Sequence, residues 1–347
     1  MPPKFSLLKS FQEQRMPWPP APKVDLQGKT VIVTGSNIGI GFEAAKHFAQ
    51  MNPEKLILAC RNKDKGQAAL KILEAETGCH TAEVWSLDLA SFDSVRAFAD
   101  KFNKECPRLD ILVENAAILP AEPYVMTSDG WEATFEVNNL STSLLGLLLV
   151  PRMLETAEKF ATTPRIVVVS SNMHMFSRFG PEMMDSSNPL EKFGKDQQYL
   201  KKIIAVRYQD TKLLNIFFAR SLSKRIPANK VIVNMANPGY VYSNLRSSFT
   251  GVRKVFDYLM EKALARTTEE GSRHVVWAAV GGENEPKERL QGAYVHMCSI
   301  SEVSEHVLSE EGTRHEDKLW DNLIDILSEV EPKVQTIVNG QLTKLLH

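Results

Sequence analysis

Short β-branched and aliphatic runs recur along this chain, and each is followed by a stretch with helical apolar spacing. TVIVTG (Thr30–Gly35) reads as a buried strand ending in glycine, and GFEAAKHFAQM after it as a helix. KLILAC (Lys55–Cys60) predicts a second strand and Lys65–Thr77 a helix. TAEVWSLDL (Thr81–Leu89) predicts a third, followed by a helix over Phe92–Lys104. DILVENA (Asp110–Ala116) is a fourth, with a long helix over Trp131–Leu154. RIVVVSS (Arg165–Ser171) is a fifth, with a helix over Arg207–Lys224. KVIVNMANPG (Lys230–Gly239) and GAYVHM (Gly292–Met297) complete seven strands. Strands alternating with helices imply βαβ units, hence an α/β doubly wound Rossmann fold: a mostly parallel seven-stranded sheet with helices on both faces. Such sheets bind ligands outside the carboxyl ends of their strands.

This pattern divides the 347 residues into a Pro-rich leader (1–27), one catalytic domain (28–300) and a C-terminal helical extension (301–347). Two insertions, about 172–206 and 240–265, are expected to be substrate lids. A hydrophobic content of 43% and a charged content of 24% fit a soluble globular protein. Net charge is near −1, so nothing electrostatic favours nucleic acid or an anionic membrane. The N-terminal stretch lacks an apolar signal core and a cleavage pattern, and LLGLLLV (Leu144–Val150) is too short to span a bilayer. Cys60, Cys79, Cys106 and Cys298 have neither zinc nor disulfide spacing. A cytoplasmic protein without metal is expected.

Between the first strand and first helix lies TGSNIGIG (Thr34–Gly41). Glycines at 35, 39 and 41 permit a tight turn and close approach of a pyrophosphate to the helix N-terminus. Gly-x-x-x-Gly-x-Gly is not the usual GxGxxG. It resembles the cofactor turn of the short-chain dehydrogenase/reductase family. Further motifs of that family follow in order: Asp88 in LDL, Asn115 in ENAA, Asn138 in FEVNNLS, Ser171 in VVVSS, Tyr208 and Lys212 in RYQDTK, then Pro238 and Gly239. Glu114, Ala117 and Ser243 depart from the family's Asn-Asn-Ala-Gly and Pro-Gly-x-x-x-Thr patterns. The resemblance runs from about Leu26 to Met297. It points to the retinol-dehydrogenase-like and carbonyl-reductase-like branch, including fungal members.

By that resemblance Asn138, Ser171, Tyr208 and Lys212 are catalytic. The cofactor would lie against Gly35, Ser36, Asn37, Ile38, Gly39, Ile40, Gly41, Arg61, Asn62, Asp88, Leu89, Asn115, Ala116, Tyr208, Lys212, Pro238, Gly239, Val241 and Ser243. Arg61 ends the second strand where an NAD-selecting carboxylate would stand, so NADP(H) rather than NAD(H) is expected. Ser36 and Asn62 are expected to add neutral donors. Bringing a phenol of ordinary pKa near 10 into action near neutrality takes about 4 kcal/mol of phenolate stabilisation. A cation four residues on, sharing a helical face, supplies part of it. Ser171 is expected to bind the substrate oxygen, with Ser170 as the competing choice, and Asn138 to hold a water linking Lys212 to solvent. By the same resemblance, backbone groups around Val241 and the Ser243 hydroxyl are expected to fix the nicotinamide amide. His174 reads as a loop or surface group.

Tyr208 follows Ser171 by 37 positions, a long gap for the family. The insertion carries Met173, Met175, Phe176, Phe179, Met183, Met184 and Phe193. Adaptable thioethers and aromatic rings suit a bulky apolar carbonyl or alcohol, or they anchor long loops. Met173, Met175, Phe176 and Tyr240 are the expected substrate contacts. A second Tyr-x-x-x-Lys pair, Tyr258 and Lys262, falls in the second lid and reads as coincidence. Family members often dimerise through the helices bearing Asn138 and Tyr208, so monomer and homodimer both stay open. A cofactor-binding regulatory protein without turnover is the competing reading.

Overall fold

The computed structural model describes residues 12–243, 245 and 251–342. Parts of the expected leader (1–11), of the second lid (244 and 246–250) and of the C-terminal extension (343–347) lie outside the described residues. Eight strands form one sheet in the order β3-β2-β1-β4-β5-β6-β7-β8. They are β1 (Thr30–Thr34), β2 (Lys55–Cys60), β3 (Ala82–Ser86), β4 (Ile111–Glu114), β5 (Arg165–Val169), β6 (Ile232–Ala236), β7 (Tyr294–His296) and β8 (Ser299–Ser301). The first seven pair in parallel, while β8 runs antiparallel to β7. The expected seven strands are therefore eight. β8 was missed because SIS, three residues long, has no periodicity to detect.

The strands read as unbroken apolar runs because both sheet faces are covered. Helices α1 (Gly39–Ala49), α2 (Lys63–Thr77) and α7 (Thr268–Val280) bury Phe48, Leu73 and Val275 against one face. Helices α3 (Phe92–Glu105), α4 (Ser141–Phe160) and α5 (Arg207–Arg225) bury Phe102, Leu147 and Phe217 against the other. Each such side chain contributes about 1.5–3 kcal/mol. Chain order reverses between β1 and β4, which opens a crevice at the carboxyl ends of these strands.

The long helix expected over Trp131–Leu154 is interrupted. Glu132 caps a turn at Ala133–Phe135, Glu136–Leu140 forms a π-turn, and α4 follows. A π-turn inserts one residue per turn and is frequent at functional sites; here it carries Asn138. Ala133–Phe160 is apolar and long enough to cross a membrane, yet 94% of its apolar window is buried in the fold. It is a core helix.

The C-terminal extension forms α8 (Glu310–Val330) and α9 (Lys333–Gln341), after the lid helix α6 (Gly251–Leu264) and α7. α8 packs on α5 and α9 on α4. The Glu316 side chain is fully buried and meets Arg220 (2.8 Å) and Lys224 (2.5 Å) of α5. Trp320 stacks on Phe218 with ring centroids 6.3 Å apart.

Candidate active site

The glycine turn leaves β1 at Thr34 and enters α1 at Gly39. A Cβ on Gly41 would lie 2.4 Å from Asn115 Nδ2 and 2.6 Å from the Gly35 carbonyl, so only glycine fits. At Gly39 φ is +66° and nothing lies within 4 Å of where a Cβ would be. Ile38, at the N-cap, gives α1 no side-chain bond. An uncapped helix N-terminus facing open space beside a glycine fits a pyrophosphate. Asn37 and Ile40 complete the turn, half-buried.

Several expected contacts change character. Ser36 is buried and its hydroxyl donates to Val33 O (2.8 Å), so it is not available as a donor. Asn62 Oδ1 caps α2 by accepting from Lys65 N–H (2.8 Å). Asn115 Nδ2 donates to Thr34 O (2.9 Å), tying the β4 turn to the β1 turn; Ala116 N–H donates to Thr34 Oγ1 (3.1 Å). Leu89 turns its side chain into the core, which leaves only its backbone for the crevice. Asp88 is half-buried and its Oδ1 accepts from Ala90 N–H (3.0 Å). Arg61 is exposed, and its guanidinium has no partner among the described residues.

The next member of the expected motif is unusual. Glu114 is fully buried, its carboxyl oxygens have no hydrogen-bond partner among the described residues, and burial pushes it well above the usual carboxylate range. Burial thus favours its neutral, protonated form.

The four expected catalytic residues converge where β5 ends and α5 begins. Lys212 is buried, and its Nζ donates to Val169 O (2.9 Å) and lies 5.6 Å from the Tyr208 ring centroid. Burial pushes its ammonium down to about 8. Tyr208 is half-buried one turn earlier on the same face. Ser171 caps the turn Asn172–Phe176, its Oγ accepting from Met173 N–H (3.2 Å), which leaves its own proton to donate. Ser170, the competing choice, is buried and donates to Lys212 O (3.0 Å), locking β5 to α5.

The Asn138 side chain is engaged by the protein itself. Its Nδ2 donates to Ile118 O (3.0 Å) and Thr211 Oγ1 (3.2 Å), so both amide protons are spent. Its Oδ1 accepts from Ile118 N–H (2.8 Å), and its main-chain carbonyl accepts from Asn215 Nδ2 (2.8 Å). The side chain braces the crevice wall; a relay water has only acceptor positions here.

His174 is a buried brace, not a surface group. Nδ1 donates to Ser171 O (2.7 Å) and Nε2 accepts from Ser304 N–H (3.1 Å). Burial pushes it down to about 4, which keeps the ring neutral as that bonding requires. Asn237, just before Pro238, is a further site residue outside the expected set. Its Oδ1 accepts from Gly239 N–H (3.1 Å) and Asn172 N–H (3.3 Å), joining the β5 and β6 ends. An asparagine between a strand and a Pro-Gly turn was the available signal.

Of the first insertion, Phe179, Met183, Met184 and Phe193 are buried in the main core and anchor the loop. Met173 and Met175 are half-buried beside Ser171, and Phe176 is exposed. Tyr240 is half-buried and its hydroxyl donates to Asp257 of α6 (3.1 Å). Val241 bridges in parallel to Arg266, closing the base of the second lid, and Ser243 Oγ accepts from Leu245 N–H (3.0 Å). Tyr258 is 56% exposed on that lid, remote from Tyr208 in the chain.

A switch-point crevice with this turn and this tyrosine–lysine face defines a dinucleotide-binding oxidoreductase. The short chain dehydrogenase family matches residues 29–181. A short chain dehydrogenase/reductase, dmxR8 of Cryptosporiopsis sp. (strain 8999), is 37% identical over 91% of this chain and 95% of its own. A short-chain dehydrogenase, anuD of Penicillium roqueforti (strain FM164), is 35% identical over 96% of this chain and 87% of its own. This chain belongs to the short-chain dehydrogenase/reductase family. Among solved structures, the fold is shared with an NADPH-bound carbonyl reductase from chicken fatty liver (TM-score 0.57, 17% identity, 82% of this chain and 96% of that one). It is shared also with a short chain dehydrogenase from Escherichia coli CFT073 complexed with NADPH (TM-score 0.56, 22% identity, 79% and 98%).

Proposed function

We propose that this protein is an NADP(H)-dependent oxidoreductase acting on a carbonyl or secondary alcohol of a bulky, apolar substrate. The carrying observation is the convergence of Tyr208, Lys212 and Ser171 at the carboxyl end of β5, inside the switch-point crevice. The Gly35–Gly41 turn, Arg61 and Lys212 would hold NADP(H), which would supply or accept the hydride. The chain's own groups manage the substrate oxygen. In the reductive direction Ser171 donates a hydrogen bond to the carbonyl oxygen, and Tyr208 gives it a proton. The buried Lys212 cation stabilises the phenolate left behind. Oxidation runs these steps in reverse.

Adaptable side chains at the mouth, Met173, Met175 and Phe176, support an apolar substrate. The test is NADPH consumption over a panel of bulky ketones and quinones. Turnover by wild type and none by Tyr208→Phe supports the reading. Cofactor binding without turnover on any member of the panel favours a regulatory protein instead.

Arg61 supports NADP(H) through its unengaged guanidinium. An Arg61→Asp variant is expected to weaken NADP⁺ binding by roughly tenfold to a hundredfold, and NAD⁺ binding much less, because it removes a charge-assisted contact and adds a repulsion. Calorimetric dissociation constants for both cofactors check this; an unchanged preference overturns it.

A monomer is the further part of the proposal. α8 and α9 cover α5 and α4, the faces through which family members pair, and Glu316 and Trp320 are buried there. Sedimentation equilibrium should give the mass of one chain, 39.0 kDa. A stable species of twice that mass would refute it.

A further inference from the structure

Residues 12–20 of the Pro-rich leader run against the second lid and the Pro238–Gly239 turn. The Gln14 amide reaches both stems of the second lid. Its Nε2 donates to the main-chain carbonyls of Tyr240 and Leu264 (3.0 Å to the latter), and its Oε1 accepts from Tyr240 N–H (3.2 Å). Arg266, on the returning stem, answers in kind: Nε donates to Gln14 O (2.8 Å) and a terminal nitrogen to Met16 O. Each segment thus holds the other's backbone with a buried or half-buried side chain.

The indole of Trp18 seats the same turn from behind. It is 5% exposed, packs on His274 at 4.5 Å between centroids, and leaves no room at Gly239, where a Cβ would lie 2.6 Å from Cη2. Gly239 has φ +75°, so the turn needs glycine twice over. Arg273 reaches the carbonyls of Trp18 (3.3 Å) and Pro19 (3.4 Å) from α7. Gln14 itself bonds only the stems of the second lid, Tyr240, Leu264 and Arg266, among the described residues.

We infer that Gln14 is a positioning residue, which fixes the Tyr240–Ser243 backbone for the nicotinamide end of the cofactor. The inference rests on the proposed NADP(H) function. It makes the leader a working part of the site and separates two halves of one ligand. The adenosine phosphates sit on β1 and β2 elements that Gln14 does not touch, whereas the nicotinamide carboxamide depends on the turn that it holds.

The experiment measures binding of NADP⁺ and of 2′-phospho-ADP-ribose, which lacks nicotinamide, by calorimetry on the full chain. Gln14→Leu keeps size and removes all three hydrogen bonds. NADP⁺ affinity is expected to fall about tenfold while the fragment's changes less than about twofold. Gln14→Glu keeps the acceptor for Tyr240 N–H but sets a carboxylate against two carbonyls. It should show the same selective loss, and it decides the matter if the leucine variant does not fold. Equal weakening of both ligands, or of neither, overturns the inference. Wild-type protein that binds neither ligand overturns the cofactor reading itself, and this inference with it.

Discussion

A Tyr208→Phe variant is expected to lose turnover by about 10²–10⁴-fold, the usual worth of a positioned proton donor, while its NADP(H) affinity stays within a few-fold of wild type. The phenol combines half-exposure with a buried cation on its own helical face. Phenylalanine keeps the ring and its packing, so the loss reports the hydroxyl. Tyr258→Phe is the matched control. It repeats the spacing, with Lys262 Nζ 5.8 Å from its ring centroid, but stands exposed on the lid helix with no buried lysine. Its turnover should stay within about twofold. Steady-state rates on one substrate from the panel check both; activity kept by the first variant and lost by the second would reverse the assignment.

The largest stability effect is expected one residue earlier. Arg207 and Glu132 are both buried, at 0% and 1% side-chain exposure, and Nε donates to Glu132 Oε2 at 2.8 Å. NH1 donates to Phe193 O (2.7 Å), and the guanidinium lies 3.7 Å from the Phe193 ring centroid. Glu132 also accepts from Thr134 and Phe135 N–H, capping the turn that leads to Asn138. One ion pair therefore joins the tyrosine helix, the π-turn and the first insertion. Removing one partner strands a buried charge, so Arg207→Met or Glu132→Gln should cost about 3–5 kcal/mol. Urea unfolding followed by circular dichroism measures it. A loss under about 1 kcal/mol would mean that water reaches the pair, contrary to its burial.

Much of this site was legible because its chemistry is local in the chain. The glycine spacing of TGSNIGIG, the serine closing β5 and the four-residue step from Tyr208 to Lys212 are short-range constraints. A turn or a helical face can be read from neighbouring residues. The same holds for the strands, whose apolar runs reflect burial on both faces. Illegible parts depend on partners far along the chain. Ser36 reads as a ligand donor in the sequence, but its one hydroxyl proton goes to the Val33 carbonyl. His174 looked like a loop residue because nothing local shows that Ser304 folds over it, 130 positions later. Met183, Met184 and Phe193 had a composition equally suited to a pocket and to a core.

By itself the sequence determined the doubly wound sheet and the glycine turn that enters α1, and it favoured one Tyr-x-x-x-Lys pair over the other, since periodicity and motif order survive without coordinates. Tertiary structure alone showed that the Ser170 hydroxyl is taken by the Lys212 carbonyl. It also decided that the Asn138 side chain bonds Ile118 and Thr211, that α8 and α9 cover α5 and α4, and that Gln14 grips the second lid. Each of these turns on which long-range group takes a hydrogen bond or fills a surface. Gln14 and Tyr240 lie 226 positions apart, and no local preference can record that meeting.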